Sequence, residues 1–234
     1  MTETEIVDHA LLTRRSVRGF LPTPVPRADI EAILAAASRA PSGTNIQPWH
    51  VYVLTGKVRN EVSTQVLAAH DEDYARKQRG EAPLHDQEYF YYPREWFEPH
   101  LARRRKLGWD LYGLLEIGKK DYDKMHYQHG RNYTFFDAPV GMMFTVDRRM
   151  EQGAWLDYGM FIENIMIAAR GRGMDTCPQQ AWATYHKVIA PLIGMPENEM
   201  LVCGLSLGWE DKSVTANQLK TERAPVSEFA VFLG

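Results

Sequence analysis

The sequence predicts a single α+β domain in which a small mixed sheet is flanked by helices. Three observations carry this. Short apolar runs at 51–54, 140–146, 174–177 and 200–207 have the length of strands, and longer stretches with helical periodicity lie between them. The helical stretches are longer than the strands, which points to helices packed on one sheet. The 234 residues suffice for one well-buried core, and no internal repeat or low-complexity segment divides residues 1–234.

The elements follow in order. Thr2 and Glu5 fit a capping box ahead of Ile6, Val7, Ala10 and Leu11, which predicts a helix over 3–13. An arginine-rich segment, Arg14-Arg15-Ser16-Val17-Arg18, follows directly. Three prolines between 21 and 26 keep the next stretch extended. Ile30, Ile33, Leu34 and Ala37 mark a second helix, 27–39, which Pro41 stops. Then come Ser42, Gly43, Thr44, Asn45 and Gln47, closed by Pro48 and Trp49. The apolar run 51–54 reads as a strand covered on both faces. Val58, Val62, Val66 and Ala69 give a third helix, 57–70.

Residues 71–131 change character. They are highly charged, yet hold 11 of the chain's 26 aromatics. A disordered linker would be poor in aromatics, so this segment is expected to be an ordered insertion packed over the core. Phe97, Leu101, Gly108, Leu111, Tyr112 and Leu115 form a helical stripe within it. Beyond it, Pro139 introduces the strand 140–146. Residues 153–170 are the strongest helix, apolar around most of its circumference and therefore expected to be central. The run 174–177 leads into a turn, Pro178-Gln179-Gln180, and Thr184 is placed to cap a helix ending at Ile193. The tail carries Arg223 and the apolar Phe229, Val231 and Phe232.

Composition excludes several classes. A net charge of −3 suggests neither nucleic acid nor an anionic membrane as partner. No apolar run approaches the roughly 20 residues of a spanning helix. The acidic stretch MTETEIVDHALL lacks the apolar centre of a secretory signal. Cys177 and Cys203 read as two buried thiols of a cytoplasmic protein, not as a disulfide.

Two segments carry chemistry. Arginine is suited to bidentate phosphate recognition, and the first segment supplies three guanidinium groups and a hydroxyl within five residues. The second, residues 41–47, offers backbone N–H groups, short hydroxyls and two carboxamides, with Gly43 free to take φ > 0. It can meet a flat, heteroatom-rich ring; an ordinary polar helix-to-strand turn has the same composition.

The order RRSVRGF then APSGTNIQPWHVYV closely resembles the flavin-dependent nitroreductase family. DAPVGMMFTVDR, WLDYGMFIENIMIAARGRGMDT, CPQQAW, and CGLSLGWE with TERAP fall in the family's order, and about 71–131 lies outside the resemblance. The resemblance implies a nitroreductase-like α+β fold with a mainly antiparallel sheet, and an interlocked homodimer binding two FMN molecules at its interface. It implies that Arg14, Arg15, Ser16, Arg18 and Arg223 hold the phosphate and ribityl chain. Pro41, Ser42, Gly43, Asn45 and Gln47 of the other subunit would line the ring. Pro178, Gln179 and Gln180 would present a backbone N–H to flavin N5. Many relatives carry Glu-Gly where Gln180-Ala181 stands, so a carboxylate role there does not carry over.

The activity implied is reduction of nitroaromatics, nitrobenzoates among them, or of quinones, with NADH or NADPH as reductant. The flavin performs the chemistry, so no catalytic side chain is expected. There is no G-x-G-x-x-G after a strand and no Walker A sequence. Nicotinamide and oxidant would therefore use one flavin face in turn, which is the basis for ping-pong kinetics. The alternatives are dehalogenation or flavin fragmentation on the same fold, or a non-catalytic FMN-binding protein. The insertion is expected to form a lid, with Thr44, Arg105, Tyr112 and Arg131 as substrate-facing candidates. The run Arg103 to Lys106 reads as a solvated face or as a contact for an anionic substrate. His126 and His129 have ligand-like spacing but no thiol or carboxylate cluster beside them, so no metal is expected.

Overall fold

The computed structural model describes residues 2–234. Its sheet has four strands: β1 (His50–Thr55), β2 (Val140–Asp147), β3 (Asp175–Gln179) and β4 (Glu199–Gly208), in the order β1-β2-β4-β3. All three neighbouring pairs are antiparallel. The parallel pairing reduces to one isolated bridge, Ser16 with Thr176, which lays the arginine segment along the outer edge of β3. The helices are α1 (Glu3–Thr13), α2 (Arg27–Ala37), α3 (Gly56–Gln78), α4 (His100–Leu114), α5 (Tyr122–Gly130), α6 (Gln152–Arg170), α7 (His186–Ile193) and α8 (Val226–Phe229).

The period of two along β2 divides the core. Val140, Met142, Phe144 and Val146 face α2 and α6, whose Ile33, Ala37, Phe161 and Ile165 complete that cluster. Met143 faces the other way, toward Val62 and Val66 of α3, Trp182 and Ile189. Two glycines allow the close approach of the aromatics on this second side. A Cβ on Gly141 would lie 2.3 Å from the Phe135 ring, and one on Gly204 would lie 2.4 Å from the Trp182 indole.

Several sequence expectations are corrected. β1 is an edge strand, and only Leu54 in it is buried, so it is not covered on both faces within one chain. α2 ends at Ala37, two residues early. Thr184 caps nothing: a 3-10 turn, Gln180–Tyr185, leads into α7. α6 is central on one side only; Tyr158, Phe161 and Ile165 are buried while Leu156 and Met160 face solvent. The Thr2–Glu5 capping box is present as expected.

α3 runs on to Gln78, so the inserted segment departs from the core only after the helix ends. Two clasps return it. Glu88 meets Arg148 at 2.7 Å and His186 at 3.3 Å, while the Tyr89 hydroxyl donates to the Val202 carbonyl and its ring packs on Trp155. The second clasp joins α5 to α3. The His126 ring lies between His70 and Tyr74, and its Nε2 is 2.7 Å from Asp71. α4, between the clasps, buries no residue. Among the described residues no helix is long and apolar enough to cross a membrane.

Candidate cofactor and active site

The arginine segment stands beside the C-terminal part of the chain because Asn217 ties them together. The buried Asn217 side chain accepts from the Arg18 backbone N–H (2.6 Å) and donates to the Gly19 and Asp211 carbonyls (2.8 Å each). The Arg15 guanidinium donates to the Asn217 carbonyl and pairs with Glu210. Arg15 is thus a brace between the two ends of the chain, a role the sequence did not reveal. Nor did it single out Asn217, one of two adjacent amides in a short 3-10 turn, Thr215–Gln218.

The brace leaves a cavity of about 320 Å³. Arg14, Arg15, Ser16, Arg18 and Arg223 all line it, so the five residues expected at the phosphate are brought together. Arg103 of α4 joins them. Arg14 is 3.7 Å from Glu163 of α6. Among the described residues, Arg18 and Arg223 bond to nearby main chain and to Thr221. The donor set suits a phosphate dianion: guanidinium groups and a hydroxyl converge on one cavity, with no unpaired carboxylate among its lining residues. The residues that line this cavity therefore fit the phosphate end of FMN.

The loop 41–47 is anchored at both ends. The Gly43 N–H donates to the buried Asp157 carboxylate of α6 (3.3 Å), and Trp49 stacks on Phe161 at 4.6 Å. Between the anchors Ser42 Oγ accepts from the Gln47 N–H (3.0 Å). Gly43 does not take the left-handed conformation expected of it. Thr44, Asn45 and Gln47 do, with φ of 48°, 61° and 49°. Backbone of this kind concentrates where a site needs it. Pro41, Gly43, Thr44, Asn45 and Gln47 are exposed, and none of them lines the arginine cavity of the same chain.

Pro178-Gln179-Gln180 is not a turn. Pro178 and Gln179 complete β3, and Gln180 opens the 3-10 turn. The Gln179 side chain is consumed internally: it donates to the Asn132 carbonyl (2.7 Å) and accepts from Ser206 (2.7 Å). Gln180 reaches Gln87 of the inserted segment at 3.0 Å. Of the three side chains, that of Pro178 is exposed. Arg131 is likewise spent, its fork closed on Asp137 at 2.7 and 2.8 Å. Arg105 is exposed, two residues from Arg103 and on the other side of α4. Tyr112 is half-buried in α4.

No cysteine suits nucleophilic work. Burial pushes the Cys177 thiol up to about 11, against the opposing pull of Arg18 and Arg14, and pushes Cys203 up to about 12. Both are free.

Comparison with known proteins bears on the family and the fold. The Nitroreductase family profile matches residues 11–209. The chain is 39% identical to a chloronitrobenzene nitroreductase of Comamonas testosteroni over 233 residues, covering 100% of this chain and 99% of that one. It is 36% identical to a 4-nitrobenzoate reductase of Pseudomonas putida, covering 99% and 97%. The crystal structure of the FMN-dependent nitroreductase NfnB from Mycobacterium smegmatis in complex with NADPH superposes with a TM-score of 0.91 at 27% identity, each chain covered completely. These matches run through residues 71–131, so the segment is shared with full-length relatives and is not peculiar to this chain. The chain therefore belongs to the nitroreductase family.

Proposed function

We propose that this protein is an FMN-dependent oxidoreductase that reduces nitroaromatic compounds with NADPH or NADH. The observation that carries the reading is the convergence of Arg14, Ser16, Arg18 and Arg223 on one cavity of phosphate-binding character. Bound FMN supplies the hydride and electron chemistry. The chain's residues hold and orient it. Arg14, Arg18 and Arg223 neutralise the phosphate, and the loop 41–47 aims backbone and amide groups at a planar ring. The end of β3 offers the main-chain N–H groups of Gln179 and Gln180. No side chain is required as nucleophile, which agrees with the two suppressed thiols. The names of the relatives support nitroaromatics as the substrate class.

The working unit of this proposal is a homodimer, because the loop 41–47 and the arginine cavity do not meet within one chain. One subunit would supply the cradle and the other the ring-facing loop. Residues 79–130 act as a lid that sets substrate range, with Thr44 and Tyr112 facing the substrate. Arg105 remains the candidate for a substrate carboxylate, since Arg131 is closed on Asp137. Unpaired cysteines agree with a reducing compartment such as the cytoplasm.

The test is steady-state oxidation of NADPH and NADH by the FMN-loaded protein with nitrobenzene, 4-nitrobenzoate and a quinone. Turnover with the nitroarenes and parallel-line initial-rate patterns are expected. If no nitroarene accelerates NAD(P)H consumption by the flavin-loaded protein, the reading fails, and if the quinone does not either, the protein is a flavin carrier. Equal efficiency with nitrobenzene and 4-nitrobenzoate at low salt removes the carboxylate contact alone.

A further inference from the structure

Arg103 belongs to a run of four cations, Arg103 to Lys106, that the fold sends to different places. Arg104 lies over the Trp96 ring at 4.7 Å. Arg105 is exposed. Lys106 pairs with Asp110 at 2.8 Å and approaches Glu222 at 3.8 Å. Arg103 alone reaches the arginine cavity, together with Leu107 one turn on. Its partner there is Glu228 of α8, at 2.9 Å, with both side chains about half exposed. An ion pair so exposed contributes little and is readily exchanged.

The cavity does not end at Arg103. A larger cleft of about 770 Å³ runs between α4 and residues 221–229. It shares Arg103, Leu107, Thr221 and Arg223 with the smaller cavity, so the two adjoin. Arg103 therefore stands at the junction of cradle and cleft, on a helix that buries none of its residues. Of the cradle's other cations, Arg15 is committed to Glu210 and Arg14 lies near Glu163.

We propose that Arg103 is a phosphate-binding residue of the FMN site, supplied by the inserted segment, and that it exchanges Glu228 for the phosphate when the cofactor binds. This rests on the FMN reading above. It makes cofactor binding and the placement of α4 a single event: phosphate draws Arg103 into the cradle and the helix with it.

The experiment compares two ligands that differ only in the phosphate. Apoprotein is titrated with FMN and with riboflavin, following quenching of flavin fluorescence, for wild type, Arg103→Ala, Arg104→Ala and Arg18→Ala. Arg103→Ala is expected to raise the Kd for FMN at least about tenfold, as for loss of one charge-assisted hydrogen bond, and to leave the Kd for riboflavin unchanged. Arg104→Ala is expected to alter neither. An unchanged FMN affinity in Arg103→Ala overturns the proposal, as does an equal loss for both ligands. Should wild type fail to bind FMN, or Arg18→Ala bind it as wild type does, the cofactor reading itself fails. A loss in Arg18→Ala without one in Arg103→Ala removes only the role of Arg103.

Discussion

Arg15 and Arg18 are three residues apart and do different work, and substitution separates them. Arg18 is expected to act on the ligand: Arg18→Ala weakens FMN binding by about 1.5–3 kcal/mol, the range for a lost charge-assisted bond, and leaves the thermal midpoint of the apoprotein near wild type. Arg15→Ala breaks the brace to Glu210 and Asn217 and is expected to lower that midpoint. Differential scanning calorimetry of the two apoproteins checks the contrast, and equal midpoints would remove the brace. The sequence made both residues visible as a pair of phosphate ligands because guanidinium spacing is a local signal. It could not divide them, because Glu210 and Asn217 lie some 200 positions away. Arg131 shows the same limit: its charge is legible, and its closure on Asp137 depends on the kinked 3-10 stretch Arg131–Asp137. In the loop 41–47 the turn chemistry pointed to Gly43 as the left-handed residue, yet Gly43 is anchored to Asp157 and the positive φ falls at Thr44, Asn45 and Gln47.

The elements themselves were well marked, since each carries its period in its own residues. β2 and α6 appear nearly as read, because apolar patterning decides them. The faces that elements present were less legible, since coverage of β1 depends on which strand lies at the edge. Packing at the element scale gives two predictions. Gly141→Ala places a methyl group within the Phe135 ring, and overpacking of this kind is expected to destabilise the fold by about 1–3 kcal/mol; chemical denaturation reads this, and an unchanged midpoint would mean that the ring moves aside freely. The clasp of α5 on α3 predicts a pH dependence. Burial lowers the His70 imidazole to about 4, and its neighbours His126 and His129 add to the lowering. The folded state thus binds fewer protons than the unfolded state, whose histidine titrates near 6.5. Stability from this group is complete above about pH 6.5 and is lost as pH falls toward 4. Urea unfolding at intervals from pH 7 to 4 should show a steeper decline for wild type than for His70→Asn, and parallel curves would exclude His70 as the source.

At the scale of the whole molecule, apolar surface is left open in several places. Leu12 of α1, Leu156 of α6 and the terminal Val231, Phe232 and Leu233 are all exposed. Patches of this kind on one chain usually mark an interface. Light scattering is therefore expected to give twice the mass of one chain at micromolar concentration, and an FMN-loaded monomer would contradict the shared site. The arginine cavity, by contrast, is braced by bonds internal to each chain: Asn217 and Arg15 join the arginine segment to residues 210–217. A floor held by bonds between protein groups makes no demand on the ring chemistry of its guest. Emptied protein should refill with flavins of altered ring chemistry, so that the driving force of the reaction can be tuned by the choice of prosthetic group while the polypeptide stays the same.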